Sequence, residues 1–268
     1  MNIPKINNFQ QNSQNFTSIK LVKPEFTELN GVQIIKPIRI ESALHSNPID
    51  VVVQNYIKSN KKSFFTSILE PKNSIPIANH TYYIDKRKGI FKGSYLETNY
   101  YNRNKGYAEL MRLVSIILMK ENNLKTNNIT AKFEAVPFHM KYNFNIDGIE
   151  TVQKYQNWTS ITDALERFQL WIGDLFDKQT KQEIKADSND LLKRISKSEN
   201  SKQLEIDVCK FIEKFYKNTG TQAQTIAENI NYYSWVSHIF MSLKMQDIMN
   251  NSTKFNELFL KHGIAYKL

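Results

Sequence analysis

Leu96-Glu97-Thr98-Asn99-Tyr100-Tyr101-Asn102-Arg103-Asn104-Lys105-Gly106-Tyr107-Ala108 reads as the end of a strand, a short turn and the start of a helix. The helix is announced by Leu110, Leu113, Val114, Ile117 and Leu118, which recur at three- and four-residue steps and mark one apolar face. The first turn of any helix holds backbone N–H groups without intrahelical partners, and the same end carries a partial positive charge. Gly106 lets the backbone approach an anion, Ala108 keeps the next position small, and Arg103 adds a fork of donors. Together they predict a seat for a diphosphate.

The seat is of neither common nucleotide type. No Gly-Lys-Ser/Thr follows, which excludes a Walker loop, and the GxGxxG spacing is missing. The segment instead resembles the GCN5-related N-acetyltransferase (GNAT) family. That family's Arg/Gln-x-x-Gly-x-Gly/Ala signature is matched at its three defined positions by Arg103-Asn104-Lys105-Gly106-Tyr107-Ala108. A second landmark, Phe-Tyr-x-x-x-Gly-Phe, resembles Phe138-His139-Met140-Lys141-Tyr142-Asn143-Phe144. Here His139 stands for the usual Tyr. Asn143 stands for the usual Gly and also tolerates a left-handed backbone. The resemblance covers about residues 31–146 and is strongest over 94–144.

The resemblance implies an α/β (α+β) fold, a mixed central sheet flanked by helices, and transfer of an acetyl group from acetyl-CoA to an amine. Acetyl-CoA would lie between splayed strands over 90–99 and 129–135. It would meet Leu96, Thr98, Arg103, Asn104, Lys105, Gly106, Tyr107 and Ala108, with backbone N–H groups near Thr98 polarising the thioester carbonyl. His139 would protonate the leaving thiolate, with Tyr142 as the fallback acid, and Glu97 would serve as base, directly or through a water. Read on the residues alone, His139 is a helix-surface histidine and Glu97 a solvated strand residue.

Outward from this segment the chain divides into three. Residues 1–30 are rich in Asn, Gln, Ser and Lys and read as a mobile arm, with Phe9, Phe16 and Phe26 able to dock. Residues 31–150 alternate strand and helix patterns. A first strand lies at Val32 and Ile34, Asn47-Pro48 opens a helix running to about Lys58, and 63–69 is a strand. Residues 75–84 and 90–99 form a hairpin with its tip at Asp85-Lys86-Arg87-Lys88-Gly89, and Ile129, Ala131 and Phe133 alternate as a strand. Strand, helix, strand implies a crossover and a parallel pair.

Residues 151–268 read as all-helical. Ser160-Ile161-Thr162-Asp163 fits a capping box before an apolar stripe of Leu165, Phe168, Trp171, Ile172 and Leu175. A polar stretch at 178–200 reads as loop or frayed helix. Further helices follow over Leu204–Phe215, from roughly Thr221 to Met249, and around Phe255 to Phe259. Ile264–Leu268 is a candidate strand whose return to the sheet would make 155–262 an insertion.

Composition bounds these readings. The chain has 268 residues, 41% hydrophobic and 23% charged, which excludes a disordered or disulfide-stapled protein. A net charge of +10 favours acidic partners. A single cysteine, Cys209, excludes an internal disulfide and reads as a small buried residue. His45, His80, His238 and His262 lack ligand spacing, so no metal is expected. Lys86, Arg87, Lys88 and Lys92 read as a solvated hairpin tip before a contact to the CoA 3′-phosphate. Without a long apolar run or an N-terminal apolar segment, the expectation is a cytoplasmic protein with no membrane partner.

Three functions follow in order. The first is an acetyl-CoA-dependent N-acetyltransferase acting on a small-molecule, protein or aminoacyl-tRNA amine. The second is a non-catalytic binding protein on a degenerate fold of the same type. The third is a basic RNA-associated protein, for which no recognition motif is present.

Overall fold

The structure, a computed structural model, describes residues 20–42, 44–45, 47–58, 61–70, 75–146, 151–171, 176–197, 202–217 and 238–268. A hairpin of β1 (Phe26–Leu29) and β2 (Val32–Ile35) comes first. Its two-residue turn is Asn30-Gly31, both at positive φ, as the twist of a tight hairpin requires. The main sheet has seven strands. They are β3 (Ile38–Ile40), β4 (Ile49–Lys58), β5 (Lys61–Leu69), β6 (Ala78–Asp85), β7 (Ile90–Thr98), β8 (Thr126–Lys132) and β9 (His238–Lys244), in spatial order of number. Every neighbouring pair is antiparallel except β7 and β8, which are parallel.

Between the parallel strands runs α1 (Tyr107–Glu121), the crossover that the sequence implies. Its burial exceeds one face: from Glu109 to Met119 every residue is buried. Strands β6 and β7 of the sheet, β2 of the hairpin and the C-terminal helix all pack against it. Asn122 caps its end by exchanging hydrogen bonds with the backbone of Gln33. After β8 come α2 (Val136–Lys141), α3 (Thr151–Trp171), α4 (Lys178–Ser196) and α5 (Lys202–Lys217). After β9 come α6 (Met245–Asn250) and α7 (Ser252–Lys261). Phe168 of α3 meets Phe211 and Phe215 of α5, and the Asn157 side chain ties α3 to Ile146 and to Phe240 of β9.

The fold class is the expected mixed sheet flanked by helices, with several local corrections. Residues 49–58 form a strand and not a helix: Ile49, Val51 and Val53 are buried at alternate positions, and the β-branched run overrides the Asn-Pro start. The capping box at 160–163 lies inside α3, where Ser160 Oγ bonds Gln156 O instead. Residues 178–196 are a full helix, capped by Asp177 accepting from the Thr180 N–H.

Two further corrections concern the sheet's ends. The C-terminal region is not all helical. His238–Lys244, read as part of a helix, is the sheet's last strand, with Ile239, Met241 and Leu243 buried at a period of two. Residues 264–268 do not return to that sheet; Ile264 forms an isolated bridge with Val22. That bridge and β1 also order part of the segment read as an arm, with Phe26 packed on the core. Phe9, Phe16 and residues 221–237 lie outside the described residues. Among the described residues, no helix is long and apolar enough to cross a membrane.

Candidate functional site

The turn between β7 and α1 is built from unusual backbone. Asn104 has φ 62° and Gly106 has φ 79°, and Gly106 caps α1 without any side-chain cap bond. Leu110 N–H bonds to Gly106 O, so the amides of the first helical turn stay outside the intrahelical ladder. Lys105 Nζ is steadied by Asn102 Oδ1 at 3.2 Å. The turn opens onto a cleft of about 510 Å³. Its lining is Leu44, Thr98, Asn102 to Glu109, Phe138, Lys141, Tyr142 and Lys261.

The cleft continues a split in the sheet. β7 and β8 are paired only from Ile90 opposite Thr126 to Gly93 opposite Ile129, although β7 runs to Thr98 and β8 to Lys132. The split begins where the β6–β7 register shifts between Thr81 and Tyr82, leaving Ser94 as the extra residue of a bulge. A bulge bends its strand and increases the local twist, which turns β7 away from β8. Ser94 Oγ holds the bend by donating to Thr81 O. Gly93 is needed at this point, because a Cβ there would lie 2.9 Å from His80 Nε2 and 3.2 Å from Ile129 Cγ2.

Glu109, buried in the first turn of α1, also lines the cleft. Its Oε1 accepts from His262 Nε2 at 2.8 Å and lies 3.4 Å from Lys261 Nζ. Its Oε2 accepts from the Tyr142 hydroxyl and lies 3.5 Å from Lys141 Nζ. Burial alone would raise the Glu109 pKa. Hydrogen bonds from His262 and Tyr142, with the charges of His262 and Lys261, outweigh it and hold the carboxyl well below its usual range. Tyr142 is pushed the other way, by burial and then by its bond to Glu109, so the phenol keeps its proton. Behind Gly106, His45 stacks on Tyr107 at 4.8 Å and lies 5.7 Å from the His262 ring. Burial, helped by His262, lowers His45 to about 4.

The residues singled out in the sequence divide accordingly. Thr98, Arg103, Asn104, Lys105, Gly106, Tyr107, Ala108 and Tyr142 line the one cleft. Leu96 is half-buried against the core on the same face of β7 as Thr98. Glu97 is exposed, pairs with Asn79 and faces the other side of the sheet from Thr98. His139 is buried between Phe138 and Phe144, at 5.1 and 5.6 Å, and is not among the residues lining the cleft. Burial, then the charges of Arg112 and His80, push it well below its usual value, so it is neutral. Asn143 adopts the left-handed backbone its substitution for Gly suggests, with φ 64°.

The hairpin tip at 86–89 lies at the opposite end of β7 from the cleft, with Lys86 bonded to Gly31 O. Cys209 is buried beside Met140, and its thiol is pushed up to about 12, chiefly by burial.

Sequence reading gave no role in the site to Glu109, Lys141 or Lys261, and weighed His262 only as a metal ligand. Glu109 did carry a signal: an acidic residue directly after the motif, ahead of a run from Leu110 to Met119 in which only Arg112 and Ser115 are polar. Lys261 and His262 come from α7 and its C-cap, brought here by folding alone.

No family model and no curated protein matches the chain. Among solved structures, Tetrahymena GCN5 aligns at 16% identity with a TM-score of 0.31, covering 35% of this chain and 57% of that one. Nourseothricin acetyltransferase aligns at 9% identity and a TM-score of 0.31, covering 51% of this chain and 75% of that one. The chain thus spans little more than half the length of the first of these structures.

Proposed function

We propose that the chain is an N-acetyltransferase that takes its acetyl group from acetyl-CoA and delivers it to an amine by direct attack. The observation that carries this reading is the meeting of two independent features in one cleft. The glycine turn at the start of α1 opens into it, and so does the end of a strand that has parted from its parallel neighbour.

The residues fit such a ligand. The first-turn amides of α1, with Arg103, Lys105, Lys141 and Lys261, give a cationic seat suited to a diphosphate. The split between β7 and β8 leaves backbone groups near Thr98 for the amide-rich pantetheine arm and for the thioester oxygen. The thioester supplies the activated acetyl group. Tyr142, protonated and at the cleft wall, is the acid for the departing sulfur, in the place sequence reading gave first to His139. Glu97 faces away from the cleft, so the amine's proton leaves through water in this reading.

Calorimetric titration with acetyl-CoA, followed by release of free CoA thiol in the presence of amines, tests the proposal. Micromolar binding is expected, and Arg103→Glu on the exposed turn and Gly106→Glu should each abolish it in protein shown to be folded. Binding unaffected by either substitution contradicts the seat. Tight binding with no thiol release from any amine favours the non-catalytic reading.

A further inference from the structure

Arg112 lies within the buried run of α1 and is only 3% exposed. Its Nε and Nη1 are buried and make no hydrogen bond in the structure. Among the described residues no carboxylate pairs with it. Glu109, one turn back, is engaged instead by His262, Tyr142, Lys141 and Lys261. The Phe144 ring, 5.1 Å from Cζ, gives the guanidinium one favourable contact. Burial lowers the Arg112 pKa only to about 9, so the group is charged at neutral pH. Burying a charge without a counter-ion is strongly unfavourable. A guanidinium left in this form is suited to receive an anion.

The place of Arg112 says where that anion would come from. It follows Ala108 by four residues and Glu109 by three, so it shares their helix face one turn deeper, and both of those residues line the cleft. The Cα–Cβ bond of a helical residue tilts towards the N-terminus, which aims the Arg112 stem back towards the cleft. His80 on β6 and His139 on α2 both feel its charge, which adds to burial in keeping them neutral. His80 Nε2 and His139 Nδ1 are buried and make no hydrogen bond either. His80 fixes the position of this cluster along the split. It stands opposite Leu96 in the register of β6 and β7, and its ring lies against Gly93, the last residue of β7 paired with β8. With the diphosphate at Gly106 and the thioester near Thr98, the acyl group comes next, towards Leu96 and the vertex of the split.

We propose that Arg112 is a subsite for a carboxylate carried on the acyl group, so that the preferred donors are CoA esters of short dicarboxylic acids such as malonyl-CoA or succinyl-CoA. The inference rests on the transfer reading above and names the acyl class it favours. Arg112 meets the distal carboxylate through charge-assisted hydrogen bonds from its unpartnered N–H groups. The chemistry at the thioester is otherwise that of acetyl transfer. The C–N bond to the amine forms, the C–S bond breaks, and CoA leaves as the thiol. The distal carboxylate passes unchanged into the product amide, and Arg112 neither gives nor takes a proton.

The test is calorimetric titration of wild type and Arg112→Met with matched pairs of esters, and of wild type with acetyl-CoA. Malonyl-CoA is paired with isovaleryl-CoA, and succinyl-CoA with 4-methylpentanoyl-CoA. Each neutral ester keeps the shape of its partner but ends in two methyl groups instead of a carboxylate. In wild type the charged member of at least one pair should bind about tenfold tighter or more. In Arg112→Met the two members should come within about threefold of each other. Removing an unpaired buried charge should leave that variant folded. Nitrogen-15 NMR of wild type gives a readout that needs no variant: the Arg112 Nε–H resonance should shift with the charged ester and not with its neutral partner. Equal or weaker binding of both charged esters in wild type overturns the subsite alone, provided acetyl-CoA still binds. So does a preference for the charged ester that persists in Arg112→Met, or an Nε–H resonance that ignores the charge. No binding of any ester by folded wild type overturns the transfer reading and the subsite with it.

Discussion

Gly106 sits directly against His262: a Cβ built on the glycine would lie 3.3 Å from His262 Cε1. The turn that marks the candidate ligand seat is thus shaped by a helix end from the far side of the sequence. Gly106 also holds φ at 79°. Gly106→Ala should therefore destabilise the fold by about 1–2 kcal/mol, read as a shift in urea midpoint at unchanged slope. Adding His262→Ala should relieve only the contact and leave the backbone strain. Full recovery in the double variant would show that the φ constraint is unimportant.

Gly93 marks the point where the parallel strands part. Its missing Cβ is what admits the His80 ring, whose Nδ1 is paired with Ser115 Oγ at 3.1 Å. Gly93→Ala should cost about 1–3 kcal/mol through overpacking. His80→Ala should recover part of that loss, giving a measurable coupling energy in a double-mutant cycle. Strict additivity would contradict the packing described here.

Asn143 allows an experiment of the opposite sign. At φ 64° it occupies a conformation that glycine adopts freely and β-branched residues resist. Asn143→Gly should lie within about 0.5 kcal/mol of wild type, whereas Asn143→Val should lose about 1–2 kcal/mol. Equal stabilities for the two variants would contradict the left-handed assignment.

What the sequence reveals follows from how local the responsible physics is. The strand–turn–helix of 96–118 is legible because turn chemistry and helix periodicity are written into neighbouring residues. Residues 49–58 are misread because a local start signal at Asn47-Pro48 competes with a β-branched run. Pairing with β3 and β5 decides in favour of the strand. The Ile239–Met241–Leu243 alternation is short enough to be absorbed into a helical reading, and only its place beside β8 reveals it. For the site, Thr98 and the motif residues lie in or beside the first signature, and Tyr142 lies within the second landmark. Lys261 and His262 reach Glu109 only through tertiary packing, and no spacing rule connects them.

Acid sensitivity should have two parts. Burial lowers His45 to about 4, so its neutral form contributes stability that is complete above its usual value of 6.5 and lost as pH falls towards 4. Glu109 is held below its usual 4.5 by hydrogen bonds and charge that outweigh burial. Its contribution is therefore complete above that value and lost at lower pH. In chemical denaturation across pH 8 to 3, His45→Phe should flatten the upper part of the decline and Glu109→Gln the lower. A decline unchanged in both variants would contradict these assignments.

In the proposed acetyl transfer, the turn at the start of α1 and the end of β7 together bind the CoA ester. Amide NMR on isotope-labelled protein, titrated with acetyl-CoA, reads both elements at once. The amides of Gly106, Tyr107 and Ala108 should shift together with that of Thr98, at one common affinity. Those of the hairpin tip at 86–89, at the far end of β7, should stay in place. Saturable binding that leaves 98 and 106–108 unshifted, or no binding by folded protein, would contradict the claim.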